Sequence, residues 1–213
     1  MRPVIVVFAK APRPGFVKTR FTPEFTPHQA AELHGAFVRD TLANLLVFDH
    51  VDLELHTDME TDAWREFEVP RRLQHEGDLG LKMFHALRAA LARGVEQAMI
   101  LGSDAPDLPL DYVTKLFACQ ADIALGPAKD GGYYAIAARR VDEKMFDGVA
   151  WSTSEALKQT ASACARCGLS VEIGPIWYDL DTPADLARLT GNERAKESSR
   201  TLALMSAGQI SLE

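Results

Sequence analysis

Val4-Ile5-Val6-Val7-Phe8 reads as a strand buried on both faces, because its apolar residues run on without the polar alternation of a half-exposed strand. Such strands belong to parallel sheets covered by helices on either side. The segment from Ala9 to Pro27 is rich in proline and contains Gly15, so it leaves the strand as a loop. Thr26-Pro27-His28-Gln29 then supplies a capping hydroxyl, a proline at the first helical position and a glutamine three residues after the cap, which starts a helix. Leu33, Phe37, Leu42 and Leu45 give that helix an apolar side to about Leu46.

Working outward, Val51 to His56 reads as the next strand. Leu79, Met83, Phe84, Leu87 and Leu91 recur at helical period, and Gly94 closes a helix from Leu79 to Arg93. A strand from Ala98 to Leu101 ends in Gly102-Ser103-Asp104. After a helix near Leu110 to Cys119 come the strand Ile123 to Gly126, a turn at Asp130-Gly131-Gly132 and the strand Tyr133 to Ala137. That turn joins its strands too closely for a helical crossover, which makes one strand antiparallel. Ser152-Thr153-Ser154-Glu155 has the form of a capping box opening a helix to about Cys167. Val171 to Ile176 reads as the last strand, and Thr182-Pro183 starts a short helix. The alternation predicts a three-layer α/β/α sandwich with a mostly parallel, Rossmann-like mixed sheet over residues 1–190. Residues 191–213 form a separate tail, charged to Arg200 and then apolar at Leu202-Ala-Leu-Met205; a packed terminal helix is expected there, a candidate subunit contact of a homodimer.

The chain has 213 residues, of which 47% are apolar, enough for a sizeable core and incompatible with disordered or collagen-like classes. Its longest apolar run, Val4 to Ala9, is far short of the ~18 residues of a membrane span and lacks the form of a signal peptide, so no membrane span and a cytoplasmic location are expected. Three cysteines suit a reducing compartment, and Cys164-Ala-Arg-Cys167 falls at the end of its helix, where the helix dipole gives no help to a thiolate. Buried small hydrophobes are the better reading. The net charge is −7, yet Arg2, Lys10, Arg13, Lys18 and Arg20 stand in the first 23 residues without a single acid. An acidic protein with one cationic loop points to a small anionic ligand and away from nucleic acid, which needs an extended basic surface.

Ligands of open α/β sheets bind beyond the carboxyl ends of the strands. Lys10, Arg13, Lys18 and Arg20 lie in the loop after the first strand, with Gly15 allowing close approach of backbone amides. Lysine offers a point charge and arginine a bidentate fork for phosphate oxygens. The glycine spacing is not that of a Walker loop. Asp104 and Asp181 each end a strand, and two carboxylates beside a phosphate loop make a sensible Mg²⁺ or Mn²⁺ site. Either could instead be local: Asp181 a helix cap, Asp104 a turn-former. Asp107 and Asp179 are weaker candidates.

Taken in order, Phe8-Ala-Lys-x-Pro-x-x-Gly15-x-Val-Lys-Thr-Arg20, Gly77-Asp-Leu-Gly80, Gly102-Ser-Asp-Ala-Pro-Asp107, Gly126-Pro-Ala-x-Asp-Gly-Gly-Tyr133, Trp151-Ser-Thr153 and Asp179-x-Asp-Thr-Pro-x-Asp185 resemble the transferase 1 family associated with radical-SAM and selenodomain proteins. It is also called an arsenosugar-biosynthesis glycosyltransferase family, of the GT-A or nucleotide-diphospho-sugar transferase fold, and the resemblance runs from about Val4 to Leu189. The nucleotidyltransferases of the wider superfamily resemble this chain in the same stretches. By position they imply that Lys18 and Arg20 hold the triphosphate of a nucleotide, that Gln74, Gly77 and Gly80 contact its base or ribose, and that Asp104 and Asp181 bind Mg²⁺ or Mn²⁺, with Lys10 and Gly15 in the same nucleotide-binding loop. Asp130, Gly131, Gly132, Tyr133 and Trp151 would face a small-molecule acceptor, with Tyr133 and Trp151 equally open to being core. Lys18, Arg20, Asp104 and Asp130 would then be catalytic. GT-A glycosyltransferases carry Asp-x-Asp at the central strand end, and Ser103-Asp104-Ala105-Pro106 departs from that pattern. The departure favours nucleotidyl transfer from a nucleoside triphosphate to a small phosphorylated acceptor, with release of pyrophosphate. Glycosyl transfer from a nucleotide sugar is the alternative, and a noncatalytic nucleotide-binding module a third.

Overall fold

The computed structural model describes residues 1–22, 24–191 and 199–206. Seven strands, β1 (Val4–Ala9), β2 (Asp52–Thr57), β3 (Arg71–Leu73), β4 (Ala98–Gly102), β5 (Ile123–Pro127), β6 (Tyr133–Ala138) and β7 (Val171–Ile173), form one sheet in the order β3-β2-β1-β4-β6-β5-β7. Only β6 runs antiparallel to its neighbours β4 and β5 within this sheet, as the short Asp130 turn requires. The helices are α1 (Pro27–Leu45), α2 (Leu79–Leu91), α3 (Leu110–Ala118), α4 (Ala156–Arg166), α5 (Pro183–Gly191) and α6 (Ser199–Ser206).

The uninterrupted apolar run of β1 is explained by the layers. Ile5, Val7 and Ala9 join Val38 and Leu42 of α1 and Val113 and Leu116 of α3 in one core, while Val4 and Val6 join Met83 and Leu87 of α2 and Cys164 of α4 in another. Burial on both faces leaves no place for a polar residue. A third, smaller core gathers Phe21, Phe25, Leu33 and Phe37 with Leu180, Leu186 and Leu189 beside the end of the sheet. Helix α1 therefore serves two cores from two sides, Val38 and Leu42 toward the sheet and Leu33 and Phe37 toward this satellite.

The Thr26 capping box forms as expected, with Gln29 N donating to Thr26 Oγ1 and Thr26 N donating to Gln29 Oε1. The one expected at Ser152 does not. Ser152 takes a left-handed backbone (φ 62°), Thr153 Oγ1 donates to Ala150 O at 2.8 Å, and α4 starts only at Ala156. Strand β3 had no sequence signal: it is three residues long, at the sheet edge, and largely exposed. Strand β7 stops at Ile173, three residues short of the expected end, where Gly174 presses against Leu116 and Pro175 follows.

The expected terminal helix is present as α6 and packs on α1 of its own chain. Asp40, buried on α1, accepts from Arg200 N at 3.3 Å, Thr201 N at 3.0 Å and Thr201 Oγ1 at 2.6 Å, so a carboxylate from another helix caps α6. The rest of the expected tail helix falls outside the described residues. Among the described residues, no helix is long and apolar enough to cross a membrane.

Candidate functional site

The strand order reverses between β1 and β4, and their carboxyl ends open onto the crevice where such sheets bind ligands. The loop after β1 delivers Lys18. Its backbone is left-handed (φ 46°, ψ 39°), a conformation that costs a side-chain-bearing residue about 1–2 kcal/mol, and its carbonyl accepts Phe21 N at 2.9 Å to open the 3₁₀ turn Thr19–Phe21. Phe21 and Phe25 then anchor the loop in the third core. At the root of the loop, His34 of α1 bonds the Lys10 carbonyl through Nε2 at 2.9 Å, and Asp58 accepts Ala11 N at 2.7 Å.

Lys18 Nζ lies 2.8 Å from Asp104 Oδ1, 3.1 Å from Asp181 Oδ1 and 2.7 Å from Leu180 O. The Lys18 side chain is 6% exposed, whereas Asp104 and Asp181 are 45% and 34% exposed. Burial opposes the charge on Lys18, but the two carboxylates outweigh it and raise the ammonium above its ordinary value. The converse holds for Asp104: burial works against it, and the Lys18 charge prevails and keeps it below the usual carboxylate range. Arg20 reaches Asp181 Oδ2 at 3.4 Å and is 67% exposed.

Further acids surround this pair. Asp179 is pushed up to about 7 by burial first, and then by the charges of Asp104, Asp181 and Asp130. Asp185 accepts Asp181 N, Thr182 N and Thr182 Oγ1 at 3.2, 2.9 and 2.7 Å, fixing the Asp181 turn at the head of α5. Asp107 is buried and accepts from Trp177 Nε1 at 3.3 Å and from the Tyr178 hydroxyl, tying the loop after β4 to the one after β7. Around the Lys18 ammonium the groups on offer are oxygens, the carboxylates of Asp104 and Asp181 and the Leu180 carbonyl, which suits a hard divalent ion. Among the described residues no three His, Cys, Asp or Glu side chains are arranged to hold one, so an ion here would have Asp104 and Asp181 and would complete its shell with substrate and water.

Residues 36–153 match the family described as "uncharacterized protein conserved in bacteria" (DUF2064). The chain belongs to the DUF2064 family. This DUF2064 chain is also 33% identical to a protein of known structure from Desulfovibrio desulfuricans G20, provisionally named a nucleotide-diphospho-sugar transferase, with a TM-score of 0.86 over 97% of this chain and 95% of that one. The fold recurs in CMP:2-keto-3-deoxy-manno-octonic acid synthetase complexed with CTP, at TM-score 0.57 and 14% identity over 93% of this chain and 99% of that one. It recurs again in a cytidylyltransferase from Leptospira borgpetersenii serovar Hardjo-bovis (strain JB197), at TM-score 0.54 and 13% identity over 98% and 95%. At such identities the likeness shows the fold alone; the 33%-identical relative makes it an α/β fold of the nucleotide-diphospho-sugar transferase kind. No curated protein matches the sequence.

The remaining candidates of the DUF2064 chain divide between the crevice and the core. Lys10 and Arg20 are exposed at the crevice side of the loop, and at Gly15 (φ 81°) an added Cβ would have nothing within 4 Å. Gln74 lies across the ends of β1 and β2, its Nε2 donating to His56 O at 3.2 Å and Ala9 O at 3.4 Å. Gly77 makes an exposed turn. Gly80 is buried instead, where a Cβ would lie 2.8 Å from Phe146 Cβ and 2.9 Å from Trp151 Cζ2, so its smallness serves packing. Asp130 is exposed and accepts Gly132 N at 2.9 Å, closing the turn. Gly131 (φ 91°) lies so close to the Ser154 backbone that a Cβ would meet Ser154 O. Tyr133 is partly buried: its hydroxyl is 3.8 Å from Met83 Sδ, burial raises its value, and its ring packs against the α2–α4 core. Trp151 packs on Phe146 at 5.9 Å in the same layer.

Among the cysteines, burial pushes Cys164 up to about 12 and Cys119 up to about 11, as inert core thiols should be. Sequence reasoning missed His34 and Asp58, which hold the root of the cationic loop. His34 carried a signal, since it lies beside Leu33 and three residues before Phe37 on the buried side of α1. Asp58 carried none, because its partner is a backbone amide 47 residues away.

Proposed function

We propose that this protein is a metal-dependent nucleotidyltransferase that moves a nucleotidyl group from a nucleoside triphosphate to a small phosphorylated acceptor, releasing pyrophosphate. The observation that carries the reading is the pairing of single carboxylates, Asp104 just beyond the end of β4 and Asp181 in the turn at the head of α5, on the ammonium delivered by the cationic loop. A glycosyltransferase of this fold is expected to carry two acids at the central strand end, and Ser103 stands in that stretch. Asp104 and Asp181 would hold Mg²⁺ or Mn²⁺, which when bound supplies Lewis-acid polarisation of phosphate oxygens.

The chain's own groups account for the rest. The exposed Arg20 and Lys10 offer charge-assisted bonds to the β- and γ-phosphates. An acceptor phosphate oxygen attacks the α-phosphorus in line; the new O–P bond forms as the α–β bridging bond breaks, and the cations offset the charge gathering on departing pyrophosphate. An acceptor that is already an anion has no proton to lose, so the step asks for no general base. Gln74, which lies across the ends of β1 and β2, and Gly77 beyond it would contact the base or ribose.

Glycosyl transfer is the second reading, favoured by the name of the Desulfovibrio relative and by the motif resemblance to the radical-SAM-associated transferases. It would use the same carboxylates on a nucleoside diphosphate and Asp130 toward the acceptor hydroxyl. The packing of the partly buried Tyr133 and Trp151 against the α2–α4 core and the packing demand at Gly131 leave that acceptor side with less support.

Thermal-shift titration with nucleoside triphosphates and nucleotide sugars, each with and without Mg²⁺ or Mn²⁺, tests the proposal, because a ligand selective for the folded state raises the melting temperature by mass action. Metal-dependent stabilisation by a triphosphate, followed by pyrophosphate release in an acceptor screen, is expected. Stabilisation by nucleotide sugars alone, with release of nucleoside diphosphate, would replace it with glycosyl transfer.

A further inference from the structure

An ammonium has three N–H donors and no acceptor, and Lys18 Nζ is surrounded by three oxygens: Leu180 O at 2.7 Å, Asp104 Oδ1 at 2.8 Å and Asp181 Oδ1 at 3.1 Å. Every donor has a partner inside the protein. The cation is buried while the carboxylates it joins reach solvent, and its backbone is held in a left-handed conformation by the 3₁₀ turn that follows. A lysine standing ready for phosphate would show the opposite, an exposed head with free donors. Arg20 and Lys10 have that exposure.

We infer that Lys18 is the resident counter-ion of the Asp104–Asp181 pair and is exchanged for the divalent ion, rather than a standing phosphate ligand. The inference rests on the metal assignment proposed above and goes beyond it. Mg²⁺ takes oxygen ligands at about 2.0–2.1 Å, and the ammonium already sits against the same two carboxylate oxygens, so ion and ammonium compete for one place. The four-carbon stem lets the head swing away, but leaving costs three bonds unless another anion receives it. Bound triphosphate is such an anion. Metal and nucleotide therefore bind with positive coupling: each makes room, or gives a partner, for what the other displaces.

Mn²⁺ titration followed by electron paramagnetic resonance of the free ion, on the full chain without nucleotide, tests this. Wild type should bind weakly. Lys18→Met should bind at least about tenfold more tightly, within the range of ordinary coupling between sites, and Lys18→Met/Asp104→Asn should lose that gain. Should Lys18→Met fail to fold, Lys18→Gln carries the same test, since it removes the charge and keeps a polar head on a shorter stem. Folded variants that bind Mn²⁺ no more tightly than wild type would overturn the exchange. That failure is separable from failure of the transferase reading, which would appear as wild type gaining no stability from any triphosphate or nucleotide sugar with Mn²⁺.

Discussion

The backbone N–H of Leu180 donates to the carbonyl of Asp104 at 2.8 Å, so the loops that carry the two carboxylates are joined by main chain before any side chain acts. Leu180 itself is buried in the third core, and its own carbonyl receives Lys18. The spacing of Asp104 and Asp181 is thus a property of the fold. Asp104→Asn and Asp181→Asn should both fold, with melting temperatures within a few degrees of wild type, and both should lose the Mn²⁺ dependence of nucleotide binding. Thermal shift with and without Mn²⁺ reads both effects; an undiminished Mn²⁺-dependent shift in the two variants would remove the pair from the site.

Arg20 is the complementary case. Its head is exposed, its contact with Asp181 is long, and exposed pairs of this sort contribute little to stability. Its fork is better suited to phosphate. Arg20→Ala should leave the melting temperature unchanged and weaken nucleotide binding about tenfold, roughly 1.4 kcal/mol, with a shallower salt dependence. Arg20→Lys should recover part of the affinity, because the charge returns without the bidentate geometry. Isothermal titration at two salt concentrations decides it.

Most of this frame could be read from the chain, for reasons that individual residues make plain. The run Val4 to Phe8 announced a doubly covered strand because both of its faces are in fact packed. The Asp130-Gly-Gly turn announced the antiparallel strand because two strands that close in sequence have no other way to pair. Asp104 was legible as a strand-end acid beside a cationic loop, whereas Asp181, expected at a strand end, lies eight residues beyond β7 at the head of α5. What could not be read was pairing across distance. Nothing in Lys18 says that its ammonium faces two aspartates 86 and 163 residues away rather than solvent, nothing in Asp40 that it caps a helix 160 residues on. Gly80 looks like a ligand-site residue in a motif, and only its packing against Phe146 and Trp151 shows that a side chain there has no room, while Tyr133 and Trp151 pack against the same layer and stay partly exposed.

Two glycines separate backbone strain from crowding. Gly15 and Gly131 both have left-handed φ, 81° and 91°, but a Cβ at Gly15 meets nothing within 4 Å while one at Gly131 runs into Ser154 backbone. Gly15→Ala should therefore lose only the conformational term, about 1–2 kcal/mol. Gly131→Ala should lose about 3 kcal/mol or more, because the loop before α4 must also give way. Urea denaturation of the two variants tests the order; equal losses would mean that the Ser154 loop yields freely.

Glu54 gives a pH dependence. Its side chain is 8% exposed and meets His56 Nε2 at 3.1 Å, Arg93 Nη2 at 2.6 Å and Arg72 Nε at 3.3 Å. The His56 hydrogen bond first, then the charges of Arg93, His56 and Arg72, outweigh burial and hold its folded value below the ordinary 4.5. An acid lowered by folding stabilises above its unfolded value, and that stabilisation is lost as pH falls from 4.5 through the folded value. Asp40, raised chiefly by burial, has the opposite sign, so the wild-type curve alone mixes the two. Glu54→Gln isolates the first: it should cost about 2–3 kcal/mol at pH 7, since the arginines lose their buried partner, and the gap to wild type should narrow below pH 4.5. A gap constant from pH 7 to pH 3 would show that charge is not what Glu54 supplies.

The cap at Asp40 reaches the crevice indirectly. By accepting from Thr201 N and Oγ1 it holds α6, whose Leu202, Leu204 and Met205 pack on the core of Phe21, Phe37, Leu180 and Leu186. That core backs both the turn following Lys18 and the loop that carries Asp181. Losing a cap costs about 1–2 kcal/mol, which in a chain of this size lowers the melting temperature by about 2–8 °C. Asp40→Ala should show that loss and faster amide exchange in residues 199–206. It should also weaken nucleotide binding a few-fold, because Phe21 and Leu180 lose packing partners while every residue facing the ligand stays in place. Asp40→Asn, which keeps one acceptor oxygen, should fall between. Faster exchange in α6 with unaltered nucleotide affinity would mean that the third core holds the Lys18 and Asp181 loops without help from α6.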